Sequence, residues 1–168
     1  MKKTMFSMMA AAAIVFYFIS TANAVGGDYQ PVKKTADTQT DYINGLTHKD
    51  GKWYITADKI DWYEGAQADE QFLKHEPDSG LDGAPDGYYI VNDDPSVQTY
   101  EVAPNAEVLM QIYDKGNDAA DTEWNEPISL EKFAQLYPQT DVLDLSYFPY
   151  HITVKDGIVT KIVQQFVP

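Results

Sequence analysis

The sequence predicts a mainly β protein, a small antiparallel barrel of the OB type with one or two short helices. Short runs of aromatic and β-branched residues alternate with polar residues along much of the chain. Asp50-Gly51 and Asp156-Gly157 each stand between two such runs, which predicts tight hairpins. A helical pattern over 129–137 precedes the last hairpin, and short strands tend to close so that no long edge stays exposed. The alternative is an α+β open antiparallel sheet with the helices on one face.

The first hairpin opens the folded part, which we expect to begin near Asp41. Strands are predicted over 42–48 and 53–63, on either side of Asp50-Gly51. The apolar positions of the second strand change phase near Asp58-Lys59, from odd-numbered to even-numbered residues. A bulge at that point would explain the change, and so would two separate short strands.

Helices are predicted at two places from the spacing of apolar residues. Ala68 and Phe72 are one helical turn apart and predict a short helix over 66–75. The second helix, over 129–137, carries an apolar face and has Ser129 as its candidate N-cap. Its position before the final hairpin is the one that an OB-type barrel requires.

Loops and further strands occupy the rest of the chain. The glycine- and proline-rich stretch 77–87 predicts an exposed loop, and the stretch 114–127 predicts a long acidic loop. About seven short strands are expected in total. Besides the first hairpin, they are predicted over 88–92, 97–103, 106–113, 150–154 and 158–166.

The amino terminus has the three parts of a secretory signal peptide. Lys2 and Lys3 precede an apolar run, and Ala22-Asn23-Ala24 supplies the small residues of a cleavage site. The run is shorter than the ~20 residues that a spanning helix needs, which argues against a retained anchor. We therefore predict a signal peptide over 1–24, a flexible leader over 25–40 and a single β-rich globular domain over 41–168. The mature protein is expected to be secreted, extracellular or periplasmic, and free of the membrane.

Charge limits the partners that this protein can have. The chain carries 12 Lys+Arg, all of them lysine, against 26 Asp+Glu, for a net charge of −14. A nucleic-acid-binding role is disfavoured, because such proteins need a basic face and arginine is their usual reader of phosphate and guanine. The acidity is typical of a soluble exported protein, and its alternative meaning is a cationic partner or divalent metal ions. The chain has no cysteine, so its fold rests on the core or on a bound ligand.

Three segments resemble a family of small exported proteins from Gram-positive bacteria that has no assigned function. The segments are IDWYEGAQA at 60–68, DGYYIVNDDP at 86–95 and the carboxyl-terminal stretch 149–168. The residues that match are Trp62, Gly65 and Ala68; Tyr88, Tyr89, Ile90, Asn92, Asp93 and Pro95; and Gln165, Phe166 and Pro168. Members often begin with a lipid-anchored cysteine, which this chain lacks. The resemblance implies export and one β-rich domain, and it implies no activity.

The segment Asn92-Asp93-Asp94-Pro95 has two explanations. Asn and Asp side chains bond to nearby backbone and proline favours extended geometry before it, so the segment suffices to end a strand in a turn. Alternatively, Asn92 and Asp93 project at the mouth of the barrel beside tyrosines and bind a partner. The predicted ligand-binding residues are Tyr88, Asn92, Asp93 and Trp62. On this hypothesis the protein is an exported non-catalytic binding module for a protein, peptide or glycan.

A small extracellular hydrolase acting on glycans is the competing hypothesis, and it leaves the question of enzymatic activity open. Asp61 and Glu64 flank two aromatic residues, and paired carboxylates beside an aromatic floor are typical of glycosidases. A nucleophilic triad has no local support, because no serine lies in a G-x-S-x-G motif. Histidines stand apart in the sequence, and His151 is predicted to be exposed on its strand.

Calcium is the one cofactor that the loops suggest. Asp78, Asp82 and Asp86 recur every four residues in a glycine-rich loop, and calcium prefers several oxygen ligands from one loop. A second acidic series is formed by Asp114, Asn117, Asp118 and Asp121. Neither series matches the EF-hand pattern, and no zinc motif occurs in the sequence. A calcium-stabilised envelope domain is therefore a third hypothesis, and no other cofactor is expected.

Overall fold

Strand pairing dominates the architecture of the described chain. A computed structural model describes residues 31–116 and 120–167, and the predicted signal peptide lies outside them. The strands are β1 (Thr38–Lys49), β2 (Lys52–Glu64), β3 (Tyr88–Val91), β4 (Val97–Asp114), β5 (Ala120–Ile128), β6 (Pro149–Lys155) and β7 (Ile158–Gln164). The helices are α1 (Ala66–His75), α2 (Leu130–Leu136) and a 3-10 helix (Leu145–Tyr147). None of these helices combines the length and the apolar character needed to cross a membrane.

Five of the strands close into a barrel. β1 pairs antiparallel with β2 and with β6, and β6 pairs antiparallel with β7. β7 then runs parallel to β4, and β4 pairs antiparallel with β2, which completes the ring. α2 follows β4, the third barrel strand, and precedes β6, the fourth. The prediction of an OB-like barrel is confirmed, with β3 and β5 as additional strands on β2 and β4.

Local signals in the sequence produce the predicted turns and helices. Asp50 and Asp156 have φ of 53° and 51°, and each is followed by a glycine with positive φ, as tight hairpins of this kind require. α1 occupies the predicted residues. The Ser129 hydroxyl accepts the N–H of Lys132 at 3.1 Å and caps α2 as predicted.

β2 is one continuous strand without a bulge, contrary to both explanations for its change of phase. Its pairing with β1 keeps one register from Ile60 to Ala57, so its side chains alternate regularly. Ala57 faces the barrel interior, whereas Ile60 and Trp62 lie on the opposite, outer face and are nevertheless buried, at 3% and 8% exposure. The apolar pattern changes because this end of β2 is covered on its outside.

Two differences from the predicted strands concern β4 and β5. β4 continues through Pro104, where we had expected a break between two strands. Pro104 falls in the interval between Val102 and Glu107 where the pairing with β7 is interrupted, so its missing N–H leaves no gap in the ladder. The stretch predicted as an acidic loop is largely β5. Lys115 pairs with Glu123 and Glu126, at 2.7 and 2.8 Å, and offsets the acidity of that strand.

The barrel interior forms the main core, and α2 closes one end of it. Phe133 of α2 is fully buried and meets the ring of Tyr150 edge to face, with centroids 5.8 Å apart. The Tyr137 hydroxyl donates to the backbone oxygen of Ile43, which ties the end of α2 to β1. Fully buried members of this core include Ile43, Ile55, Met110, Phe133, Tyr150, Ile152, Val159 and Ile162.

One carboxylate is buried on the inner face of β1. Asp41 is 1% exposed, and its Oδ1 accepts the side-chain amide of Gln39 at 2.9 Å. Among the described residues, Asp41 Oδ2 has no hydrogen-bond partner. Burial raises the pKa of Asp41 to about 6, against the lowering effects of Gln39 and Lys59. The ionised form is therefore costly in the folded protein.

A second buried layer lies on the outside of the same strands. The backbone N–H of Val154 donates to the backbone oxygen of Asp37 at 2.9 Å, which holds the segment 31–37 against β6. β1 itself begins at Thr38, three residues before the predicted start of the domain. We use the name outer layer for segment 31–37 together with the buried side chains that face outward beneath or beside it. These side chains are Thr40, Ile60, Trp62, His151 and Val163.

Candidate functional site

Two of the predicted ligand-binding residues, Trp62 and Tyr88, stack on the outer face of β2 and β3. Their ring centroids are 4.8 Å apart and the planes differ by 10°. The stack forms because Glu64 of β2 pairs with Tyr88 of β3, which places Tyr88 diagonally opposite Trp62. Trp62 Nε1 donates to Glu64 Oε1 at 2.9 Å. The Trp62 side chain is therefore held in one position on this face, and Tyr88 covers one side of its ring.

Asn92, the third predicted residue, follows the end of β3 and reaches across to β2. Its Nδ2 donates to Asp58 Oδ2 at 3.0 Å. Asp93 is exposed, and no hydrogen bond of its side chain to the described residues is present. Asp94 Oδ1 accepts the N–H of Ser96 at 3.0 Å, the turn expected where a strand ends in Asn and Asp residues. β3 lies outside the five-strand ring, so Asn92 and Asp93 are not at the barrel mouth.

Beside Asp58 the outer face opens into a groove of about 430 Å³. We call it the tyrosine groove; it is lined by Tyr42, Asn44, Asp58, Ser146 and Tyr147. Tyr147 is 78% exposed, the largest exposed fraction among the large apolar side chains of the described residues. The Tyr42 hydroxyl is partly buried, and burial, with Tyr88 and Asp58 nearby, raises its pKa. The groove thus joins an open aromatic ring to hydroxyl, amide and carboxylate groups.

Two local irregularities of the backbone create this groove. Ile43 pairs with Ala57 and Gly45 with Thr56, so Asn44 is an extra residue in β1, a bulge that redirects its side chain.

On the opposite wall, Asp144 begins the 3-10 helix that presents Tyr147. Asp144 Oδ1 accepts the N–H and the hydroxyl of Ser146 at 2.9 and 2.6 Å. The sequence analysis missed Tyr42, Asn44, Ser146 and Tyr147 as site residues. The Asn44-Gly45 pair and the Asp144-x-Ser146 spacing were the available signals, since both are typical of turns and caps.

The Asp58 carboxylate is only half satisfied within the protein. Its Oδ2 accepts from Asn92, but Oδ1 is buried and has no hydrogen-bond partner among the described residues. A buried polar atom without a partner costs about 1–3 kcal/mol. The terminal torsion of an Asp side chain is soft, so a donor in the groove could recover this interaction after a small rotation. Asp58 is the best-placed acceptor for a ligand at this site.

The two carboxylates of the hydrolase hypothesis lie on different faces of β2. Asp61 is exposed, whereas Glu64 is partly buried and accepts the hydrogen bond from Trp62. Their separation by three residues puts them on opposite sides of a regular strand. Both attract Lys34, but partial desolvation of its amine is the larger effect and lowers the Lys34 pKa. The geometry does not assemble Asp61 and Glu64 as an acid–base pair around one bond.

His151 is buried, and the prediction that it is exposed was wrong. It is 2% exposed, with Nδ1 at 3.0 Å from the Thr40 hydroxyl and Nε2 at 2.8 Å from Gln165 Oε1. Burial lowers the His151 pKa to about 4, and Lys34 contributes in the same direction. Simple alternation along the strand placed His151 outside correctly, but the alternation could not reveal the layer that covers it. The residue is neutral at physiological pH and works as a structural hydrogen-bonding group.

Among the described residues, the acidic side chains of the loops form no metal-binding group. Asp78, Asp82 and Asp86 lie in the exposed stretch between α1 and β3. Within 31–116 and 120–167, no group of three or more His, Cys, Asp or Glu side chains is placed to hold a metal ion. Asn117 and Asp118 of the second acidic series lie outside the described residues. Calcium binding stays a prediction from sequence.

Comparisons with known proteins identify no relative of this chain. No family model matches the chain, and neither the curated proteins nor the solved structures contain a match to it. The resemblance to small exported Gram-positive proteins stays a prediction. Arguments about function therefore depend on the geometry of the outer face.

Proposed function

We propose that this chain is an exported, non-catalytic binding module that holds a hydroxyl-rich carbohydrate in the tyrosine groove. One observation carries the proposal: an exposed aromatic ring and a carboxylate whose hydrogen bonding is incomplete line the same open groove. Tyr147 offers the ring, and Asp58 offers the carboxylate, whose buried Oδ1 can reach the groove after a small rotation. A sugar presents both an apolar ring face and several hydroxyl donors, so it matches the two groups at once.

The groove has the size and mixed character of a small-ligand site. Its volume of about 430 Å³ lies within the ~300–1,000 Å³ typical of ligand pockets. Asn44 adds a side-chain amide to the lining, and the Ser146 hydroxyl, which donates to Asp144, adds an acceptor. Asn92 holds Oδ2 of Asp58 in place, so part of the site is organised before a ligand arrives.

The groove borders the surface on which OB-folds bind. Such barrels take oligonucleotides and oligosaccharides on the outer face of their second and third strands. Here those strands are β2 and β4; Asp58 of β2 belongs to the groove, whereas the other lining residues come from β1 and the 3-10 helix. The net charge of −14 favours an uncharged oligosaccharide over a nucleic acid. The comparison is an analogy at the level of fold, and the residues of the groove carry the argument.

Binding can be measured by calorimetry against a panel of neutral oligosaccharides of hexoses and N-acetylhexosamines. We expect Tyr147→Ala and Asp58→Asn each to weaken binding about tenfold, equivalent to ~1.4 kcal/mol. Asn92→Ala should weaken it less, because Asn92 acts by positioning Asp58. Leu81→Ala and Asp82→Asn, two exposed positions in the loop before β3, are the matched controls and should bind as the unaltered chain does.

Two results would overturn the proposal. One is an oligosaccharide that binds equally well to the Tyr147→Ala and Asp58→Asn variants. The other is a panel on which no glycan binds while cationic peptides bind through Asp58, which would make the partner a peptide. Turnover of any glycan that disappears in Glu64→Gln would instead favour the hydrolase hypothesis.

A further inference from the structure

Three lysines of this acidic chain line a cavity that is separate from the tyrosine groove. The cavity has a volume of about 490 Å³ and lies between segment 31–38 and the outer faces of β4, β6 and β7. Lys33, Lys155 and Lys161 line it, and Asp37 is the one carboxylate in its wall. The chain as a whole has 12 basic residues against 26 acidic ones, so this local balance is reversed.

Two of the three ammonium groups form no ion pair with any residue that the structure describes. Lys161 Nζ pairs with Glu107 Oε2 at 2.9 Å across the β4–β7 pairing. Lys33 and Lys155 are exposed, and neither forms an ion pair with a residue in the described ranges. An anion in the cavity would meet uncompensated positive charge from both the leading segment and the end of β6.

The rest of the cavity wall combines apolar and polar residues. Val32, Leu109 and Val163 are its apolar members, and Leu109 and Val163 lie between Thr153 of β6 and Asn125 of β5 in the order of strands. Asn125 has a left-handed conformation, with φ of 56°. Gln111 fixes it there: its Oε1 accepts the Asn125 N–H at 2.9 Å and its Nε2 donates to Asn125 Oδ1 at 3.0 Å.

We infer that this cavity binds a small amphipathic organic anion, with its apolar body on Val32, Leu109 and Val163 and its charged oxygens at Lys33 and Lys155. Lysine acts as a point charge toward carboxylate or phosphate oxygens, and it needs no fixed bidentate geometry. The volume is suited to a small molecule. The net charge of −14 on the whole chain disfavours large polyanions, so the site selects for small ligands.

This site and the tyrosine groove share no lining residue. The inference therefore does not depend on the proposed function, and each can fail without the other. Tyr147→Ala should leave anion binding unchanged, and Lys155→Gln should leave glycan binding unchanged.

The test is a titration of the exported chain with hexanoate, hexyl phosphate and 1-hexanol, followed by ¹H–¹⁵N NMR. Both anions should shift the backbone signals of residues 33–38, 125, 155 and 161, and hexanol should bind at least tenfold more weakly. The better of the two anions identifies whether carboxylate or phosphate is preferred. Raising the salt concentration should weaken binding, because the lysines are exposed.

Lysine variants make the test specific. The double change Lys33→Gln and Lys155→Gln should weaken binding of the better anion at least tenfold. Lys132→Gln on α2, a lysine outside the cavity lining, is the matched control and should have no effect. Equal binding of hexanol and the anions, undiminished binding in the double variant, or no binding of either anion would each overturn the inference.

Discussion

The wall formed by β1 and β6 is buried on both faces, and the two faces are buried for different reasons. Tyr150, inside, is fully buried because five strands and α2 enclose it. His151, the next residue, is 2% exposed on the outside because segment 31–37 and neighbouring side chains cover it. The inner face is a closed and mainly apolar core, whereas the outer face combines buried polar groups with the cavity and the groove described above. The interior of the barrel therefore provides stability, and the proposed binding sites lie outside it.

The largest expected change in the free energy of unfolding comes from two adjacent residues of β7, one on each face of the barrel wall. Ile162 faces the core and Val163 the outer layer, at 0% and 2% exposure. We expect Ile162→Ala to lower the free energy of unfolding by about 3–4 kcal/mol and Val163→Ala by about 1–2 kcal/mol, because Val163 borders a cavity that already lacks full packing. Chemical denaturation with a common m-value measures both. Equal losses would mean that the outer layer is packed as tightly as the core.

A smaller effect, dependent on pH, should come from His151. Its pKa of about 4 in the folded protein is below the ordinary value of 6.5, so the unfolded chain binds the proton more readily between these values. The stabilisation is complete above pH 6.5 and is lost as pH falls toward 4, by roughly 2–3 kcal/mol. His151→Gln should lack this loss when unfolding is measured from pH 7 to pH 4. An unchanged pH slope in the variant would show that His151 is solvated.

Asp41, on the inner face, should act in the opposite direction. Its folded pKa of about 6 exceeds the ordinary 3.8, so its contribution to stability is greatest below pH 4 and is lost as pH rises through 6. Asp41→Asn keeps the acceptor for Gln39 and should stabilise the protein by roughly 1–2 kcal/mol at pH 7, with the gain vanishing near pH 4. Thermal unfolding at the two pH values tests this. A variant less stable at pH 7 would mean that the ionised carboxylate has a partner.

The smallest expected change in the free energy of unfolding comes from the stack of Tyr88 on Trp62 on the outer face. Tyr88→Ala removes the ring that lies on Trp62 and should cost about 0.5–1.5 kcal/mol beyond the lost burial. The matched change Tyr54→Ala, a partly buried tyrosine on the outer side of the same sheet, removes a ring without such a stack. Comparison of the two unfolding free energies isolates the stacking. Identical losses would contradict it.

The inner face could be predicted from the sequence, because its signals are local. Asp-Gly pairs determine the hairpins, Ser129 caps α2, and apolar alternation identifies Ile55 and Ala57 as inward-facing. These features predict a closed barrel but leave an open antiparallel sheet as the alternative. The parallel pairing of β7 with β4, which closes the ring, joins segments far apart in sequence and has no local signal.

The outer face could not be predicted in the same way, because the segments that bury it are polar or far away in the sequence. Segment 31–37 has no apolar period, so its contact with β6 left no signal, and the burial of His151 was missed. β5 was missed because its many acidic residues are typical of a loop. Their pairing with Lys115, which offsets this charge, is visible only in the structure. The groove depends on a bulge at Asn44 and on a 3-10 helix capped by Asp144. Each has a local signal, but the sequence does not show that the two line one groove.

The most direct test of the central claim is to map where an oligosaccharide binds. A ¹H–¹⁵N NMR titration of the protein with the best neutral oligosaccharide of the panel would locate the site without any substitution. We predict that the perturbed signals cluster at Asn44, Asp58, Asn92, Ser146 and Tyr147, and that signals of the barrel interior do not move. Perturbations confined to another face, or a saturating ligand that leaves these five residues unchanged, would contradict the account.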